Sequence, residues 1–277
     1  MSHTGAGGDP TTLLAAEHLS DEDLKHCCAA AYANPAVRWL LGGELHPGGV
    51  AVTRRTLELA ELRAGERLLD VACGSGTSAL LAANEFAAEV TGVEYGEDAV
   101  QAARAAASES GCSERVRFIQ GDAERLPVAD ARFDVVLCEC ALCTFPDQRR
   151  AVAEFRRVLR PGGRLALSDV VVESGPLATG LTAAIAAIAC LDGALSSAGY
   201  RRLLRQGGLT VKRSESRRHD AENFAQRIED RLRGARLLGI TPPAGSPLGI
   251  DEAIEAAKEA RGEITSGRLS YTIFIAQ

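Results

Sequence analysis

From Arg67 onward the chain alternates short apolar runs with helical patterns, and this rhythm constrains its fold more than any other feature. Runs at Arg67 to Val71, Ala88 to Val93, Val116 to Gln120, Phe133 to Leu137, Arg164 to Val170 and Leu209 to Ser214 have the length and bounding turns of strands. Between them, Ser78 to Phe86, Ala99 to Ser108, Gln148 to Leu159 and Ser197 to Arg205 repeat apolar residues at helical spacing. A seventh strand, Leu269 to Ala276, follows a helical insertion at about 221–262 that Thr241-Pro242-Pro243 interrupts. Such alternation specifies a parallel, doubly wound α/β sheet with helices on both faces.

The preceding segment is built differently. Ser20 and Asp23 have the spacing of a capping box and open a helix through Leu24, Cys27, Cys28 and Ala31, which Asn34-Pro35 ends. Ala36 to Leu41 is a short apolar piece with the single tryptophan, Trp39; His46-Pro47-Gly48-Gly49 is a loop, and helix resumes from Val50 to Ala60. An aromatic anchor beside Gly42, Gly43, Gly48 and Gly49 suits a lid over the ligand-bearing edge of the sheet, so residues 1–56 are read as a helical lid segment and 57–277 as the main domain.

Composition narrows the function. With 46% hydrophobic and 25% charged residues the chain is an ordinary globular protein, and a net charge of −6 with interspersed arginines leaves no footprint for nucleic acid. The expected substrate is small and not polyanionic. Met1 to Pro10 has no signal-peptide pattern, and Leu177 to Leu195, interrupted by Thr179, Gly180, Thr182 and Asp192, falls short of the roughly 20 apolar residues of a span. That window reads as a helix packed on the core, and the protein as cytoplasmic, with no membrane partner. Eight cysteines without a secretory signal imply a reducing compartment, where thiols are buried, reactive or ligating.

The first strand runs into Cys73-Gly74-Ser75-Gly76 and a helix, a junction where backbone N–H groups can meet a ligand closely. Gly74, Gly76 and Ala79 also satisfy a G-x-G-x-x-A dinucleotide fingerprint, with Glu94 where a ribose-binding acid belongs, so NAD competes as the cofactor.

Motifs along the chain decide against NAD. Leu69-Asp70-Val71-Ala72-Cys73-Gly74-Ser75-Gly76 resembles the first motif of class I methyltransferases, although Ala72 stands where a glycine is usual. Gly121-Asp122-Ala123-Glu124-Arg125-Leu126-Pro127 is similar to the segment after their third strand. Phe133-Asp134-Val135-Val136 and Arg157-Val158-Leu159-Arg160-Pro161-Gly162-Gly163 resemble their fourth strand and the turn into the fifth. The resemblance spans about residues 57–216 and implies a Rossmann-like methyltransferase sheet of seven strands with S-adenosylmethionine as cofactor. It further implies that Asp70 and the backbone of Gly74 and Gly76 hold the methionine part, Glu94 the ribose, and Asp122 with Ala123 the adenine.

The acceptor is read from the cysteines. Ala189-Cys190-Leu191-Asp192-Gly193-Ala194-Leu195 resembles the Glu-Cys-Leu-Gly-Gly-Ala-Leu segment of arsenite methyltransferases, with Asp192 in place of a glycine. Cys140-Ala141 aligns with the Cys-Val at the end of that family's fourth strand. The resemblance implies Cys140, Cys190 and Cys28 (or Cys27) as ligands of trivalent arsenic, with Cys143 as a substitute and a thiol reductant as a partner. A soft metalloid prefers thiolates, and its lone pair can take a methyl group without a protein base. Cys73, Cys112 and Cys138 read as core residues. Two alternatives stay open: a small-molecule O-, N- or C-methyltransferase with Glu139, His46 or His219 as base, and a non-catalytic metalloid-binding protein.

Overall fold

The computed structural model describes residues 20–173, 191, 193–240 and 249–277. Cys190 and the Thr241-Pro242-Pro243 break lie outside the described residues, as does most of the Leu177 to Leu195 window.

The first element of the described residues is α1 (Asp21–Ala33), whose capping box is formed: Asp23 N donates to Ser20 Oγ at 3.2 Å and Ser20 N to Asp23 Oδ2 at 3.1 Å. Next come α2 (Pro35–Leu41) and α3 (Gly49–Leu59). The sheet is made of β1 (Arg67–Val71), β2 (Glu89–Glu94), β3 (Val116–Gln120), β4 (Phe133–Glu139), β5 (Leu159–Val172), β6 (Val211–Ser216) and β7 (Leu269–Ala276). Helices α4 (Thr77–Phe86), α5 (Glu97–Glu109), α6 (Gln148–Val158) and α7 (Ser197–Gln206) flank it, and α8 (Arg218–Leu237) and α9 (Ile250–Thr265) form the insertion.

Strand periodicity divides the core. Consecutive Leu68 and Leu69 on β1 leave opposite faces, as do Leu137 and Cys138 on β4. A strand buried on both faces needs helices on both. On one face α3, α4 and α5 bring Val52, Leu57, Ala79 and Val100 against Leu68 and Leu137. On the other, Phe155 of α6 and Tyr200 and Leu204 of α7 pack on Leu69 and Cys138.

The strand order is β3-β2-β1-β4-β5-β7-β6. β1 through β5 pair in parallel, but β7 lies antiparallel between β5 and β6, so the sheet is mixed rather than wholly parallel. The insertion explains the reversal. A helical pair leaves the end of β6 and returns to the same end of the sheet, so β7 must start where β6 stops. The chain leaves β1 for β2 on one side and reaches β4 on the other, which opens a crevice beyond the carboxyl ends of β1 and β4.

The N-terminal segment and the insertion meet over that crevice. Leu40 packs with Ile228, Leu232, Ile254 and Ala257 in a small cluster of its own. Arg231 Nη1 donates to Leu40 O at 3.2 Å, and Arg227 pairs with Glu44 at 2.6 Å. Among the described residues no helix is long and apolar enough to cross a membrane.

Candidate active site

The crevice holds a cavity of about 280 Å³ lined by the loop after β1, the ends of β2 and β4, the turn after β3, and α1. Gly76, at φ 83°, caps α4, and a Cβ there would lie 2.5 Å from Phe118 Cζ. Only glycine lets the loop turn so tightly. Glu94 is built into this loop: Oε2 accepts from Gly74 N at 2.9 Å, and Oε1 from Tyr95 N at 2.8 Å and Gly96 N at 3.1 Å. Ala72, at the usual glycine position, takes φ 56°, a left-handed backbone that costs an L-residue about 1–2 kcal/mol.

Asp122 has two roles at once. Its Oδ1 accepts from Glu124 N at 2.9 Å, closing a turn, while Oδ2 accepts from Lys25 Nζ at 3.0 Å and the residue lines the cavity with Ala123. Lys25, from α1, also pairs with the buried Glu124. Burial alone would lower the ammonium's pKa, but hydrogen bonds to Glu124 and Asp122 outweigh it and hold it above the usual range.

Acids surround the loop. Asp70 is 2% exposed, and among the described residues its Oδ2 has no hydrogen-bond partner. Burial, then the charges of Glu139 and Glu94, push its carboxyl well above the usual range. At the end of β4, Glu139 Oε2 accepts from Ser78 Oγ at 2.7 Å and Thr53 Oγ1 at 2.9 Å, with His46 Nε2 at 3.7 Å. Its Oε1 has a longer contact, 3.4 Å, from Ser168 Oγ. His46 stacks on Tyr271 with ring centroids 6.1 Å apart. His219 is 83% exposed on α8, paired with Glu222, and is not among the residues lining this cavity.

The cysteines separate. Cys28 and Cys140 line the same cavity, whereas the neighbouring Cys27 does not. Cys140 adopts φ 50° just past β4, its N donating to Ser168 O at 2.7 Å. Cys143 is buried in the Leu142–Thr144 turn, its N bonded to Asp169 Oδ2 at 2.9 Å, and does not line the cavity. Cys112 and Cys138 are core residues, and burial, followed by the Asp169 and Asp70 charges, pushes the Cys138 thiol well up. Cys73 is pushed up in the same way, by burial and then by Asp70 and Glu94.

Lys25, Thr53 and Ser78 are site residues that sequence reading does not single out. Ser78 carries a signal, two residues after Gly76 on the helix that the glycine loop starts. Lys25 and Thr53 carry none, because only packing brings α1 and α3 to the strand ends.

A doubly wound sheet with an antiparallel β7, a glycine loop after β1 and acids at the ends of β2 and β3 defines the class of enzymes that use S-adenosylmethionine. Residues 62–208 match a family described as a methyltransferase domain, and the chain belongs to that family as a class I S-adenosylmethionine-dependent methyltransferase. It is similar to 27-O-demethylrifamycin SV methyltransferase of Amycolatopsis mediterranei (strain S699), 33% identical over 231 residues, covering 79% of this chain and 77% of that protein. Ubiquinone/menaquinone biosynthesis C-methyltransferase UbiE of Pseudomonas aeruginosa (strain LESB58) is 29% identical over 224 residues, covering 79% of this chain and 82% of that one. Among solved structures, Haemonchus contortus phosphoethanolamine N-methyltransferase 2, in complex with phosphomonomethylethanolamine and S-adenosylhomocysteine, aligns with TM-score 0.76 at 18% identity. That alignment covers 94% of this chain and 60% of the other. The cofactor is therefore S-adenosylmethionine rather than NAD, and the protein is an enzyme rather than a passive metalloid binder.

Proposed function

We propose that the enzyme methylates a small organic acceptor whose nucleophile loses its proton to Glu139, with His46 as the partner of that carboxylate. The observation that carries the reading is the tether on Glu139. Ser78, Thr53 and His46 gather on Oε2, leaving Oε1 the less engaged oxygen of a side chain that lines the cavity. The cavity suits a cationic sulfonium cofactor: Glu94 and Glu139 line it with carboxylates, and the nearby buried Asp70 has, among the described residues, no hydrogen-bond partner on Oδ2. In this reading Asp70 and the backbone of Gly74 and Gly76 hold the methionine part, Glu94 the ribose, and Asp122 with Ala123 the adenine. When bound, the cofactor supplies an electrophilic methyl group. Glu139 takes the acceptor's proton, and the loop after β1 fixes the line of approach.

The test supplies labelled S-adenosylmethionine with a panel of phenols and compares the parent with Glu139→Gln and His46→Asn. Loss of a general base lowers kcat about 10²- to 10⁴-fold, while S-adenosylhomocysteine affinity stays near the parent's. An unchanged kcat in Glu139→Gln overturns the base assignment.

One observation favours a second reading, transfer to thiol-bound trivalent arsenic in a detoxifying reaction: Cys28 and Cys140 line one cavity. Cys190, the third ligand this reading needs, lies outside the described residues, and among those residues no group of three or more His, Cys, Asp or Glu is placed to hold a metal. Adding arsenite or methylarsenite, with a thiol reductant, to the same assay separates the readings. Methylation of either substrate that is lost in Cys140→Ser and Cys190→Ser selects arsenic.

Both readings use residues 1–56 as a lid on the domain at 57–277. In support, α1 buries no residue of its own, yet Lys25, Cys28, Ala29 and Tyr32 form one wall of the cavity. Proteolysis within α1 and α2 should slow when S-adenosylhomocysteine is bound, and unchanged cleavage makes the segment a fixed structural piece.

A further inference from the structure

A second cavity, about 210 Å³, lies between the insertion and the sheet and shares Tyr32, Leu45 and Cys140 with the first. Among the described residues no charged side chain lines it. Phe224, Ile228 and Leu232 of α8 face Ala253, Ala257 and Ala260 of α9 across it, and β7 closes its base through Leu269 and Tyr271. The Tyr271 hydroxyl is already engaged, 2.9 Å from Ser168 Oγ.

Protein interiors are ordinarily close-packed, and helices meeting through large aliphatic side chains fill the space between them. Here α9 presents alanines at 253, 256, 257 and 260, one face of a helix, towards the larger residues of α8. The space this leaves offers water few hydrogen-bond partners. An apolar group is the occupant that gains most there, and its way to the methyl-transfer centre passes Cys140.

We infer that the two cavities form one bipartite site, and that the acceptor is an amphiphile with an apolar body between α8 and α9 and its nucleophilic heteroatom at the Glu139–Cys140 end. The second half of this statement rests on the methyl-transfer reading above. The first half stands on the cavity alone, so it is tested by binding without turnover.

The probes are 4-alkylphenols with chains from methyl to heptyl, titrated calorimetrically into the S-adenosylhomocysteine complex. Affinity should rise up to about fourfold for each methylene buried, then level off once the cavity is full. Ala257→Leu narrows the cavity and should bring the plateau to a shorter chain, whereas Ile228→Ala widens it and should move the plateau to a longer one. An S-adenosylhomocysteine affinity equal to the parent's verifies that each variant is folded. Affinity independent of chain length, or a plateau at the same length in all three proteins, overturns the proposal. Alkylphenols that bind with the expected length dependence but are never methylated break the Glu139 reading and leave the apolar subsite standing.

Discussion

The two cavities meet at Cys140 but are made in opposite ways. The first carries the charged groups and is built where strands end: Glu94 on β2, Asp122 just past β3, Glu139 on β4, and the glycine loop after β1. The second is apolar and is built from helix faces of α2, α8 and α9, far apart in the chain. A parallel sheet delivers side chains and loops to one edge whatever the sequence between strands, so the cofactor half follows from the fold. The acceptor half depends on how separate helices pack, and it can vary while the other stays constant.

The largest effect expected from breaking this contrast is on chemistry. Glu139→Gln should lower kcat by about 10²- to 10⁴-fold and leave the chain-length dependence of alkylphenol binding untouched, since the apolar half does not involve the carboxylate. Calorimetry beside the rate assay separates the two.

Stability gives the next contrast. Phe155 is fully buried on the α6 face of the sheet, and Phe155→Ala should cost about 3–5 kcal/mol in chemical denaturation. Ile228 borders a cavity and is half-buried, so Ile228→Ala should cost clearly less. Equal losses would mean that the second cavity is as tightly packed as the core.

A smaller effect is expected on cofactor binding. Glu94→Ala and Asp122→Ala each remove charge-assisted hydrogen bonds worth about 1.5–3 kcal/mol, so S-adenosylmethionine affinity should fall roughly tenfold or more. Unchanged affinity in both variants would remove the strand-end acids from the cofactor site.

The smallest effect belongs to Lys25, which closes one wall of the first cavity by fastening α1 to Asp122 and Glu124. Its folded pKa is raised above the ordinary 10.5. The pair's contribution is therefore complete below pH 10.5 and is lost as pH rises through the folded value. Lys25→Met should give a severalfold faster hydrogen exchange in α1 at neutral pH. Exchange in the parent, corrected for intrinsic rates, should approach that of the variant as the ammonium deprotonates. Identical exchange in both proteins at neutral pH would show that the apolar contacts alone hold α1.

Local chemistry made much of this readable. Ser20 and Asp23 announced α1, and the placement of Gly74, Glu94 and Asp122 around one cavity follows from strand periodicity and the motifs after β1 and β3, whereas Asp70 and Gly76 do not line it. The direction of β7 was not readable. Alternating apolar residues specify a strand and its faces, but direction is set by where the connection returns it. Likewise Cys27 and Cys28 are neighbours in sequence, yet helical geometry points them apart, and only Cys28 reaches the cavity.

The sequence by itself determined the seven strands, the glycine loop with its strand-end acids, and the methyltransferase class, because each rests on spacing within a few residues or on a motif in fixed order. Only the tertiary structure decided that Lys25 closes on Asp122, that His46, Thr53 and Ser78 converge on Glu139, and that α8 and α9 leave an apolar space beside Cys140. The hydrogen bonds of Lys25 to Asp122 and of Thr53 and Ser78 to Glu139 join residues 97, 86 and 61 positions apart. Their energies depend on which helix faces meet, a choice made by the packing of the whole chain.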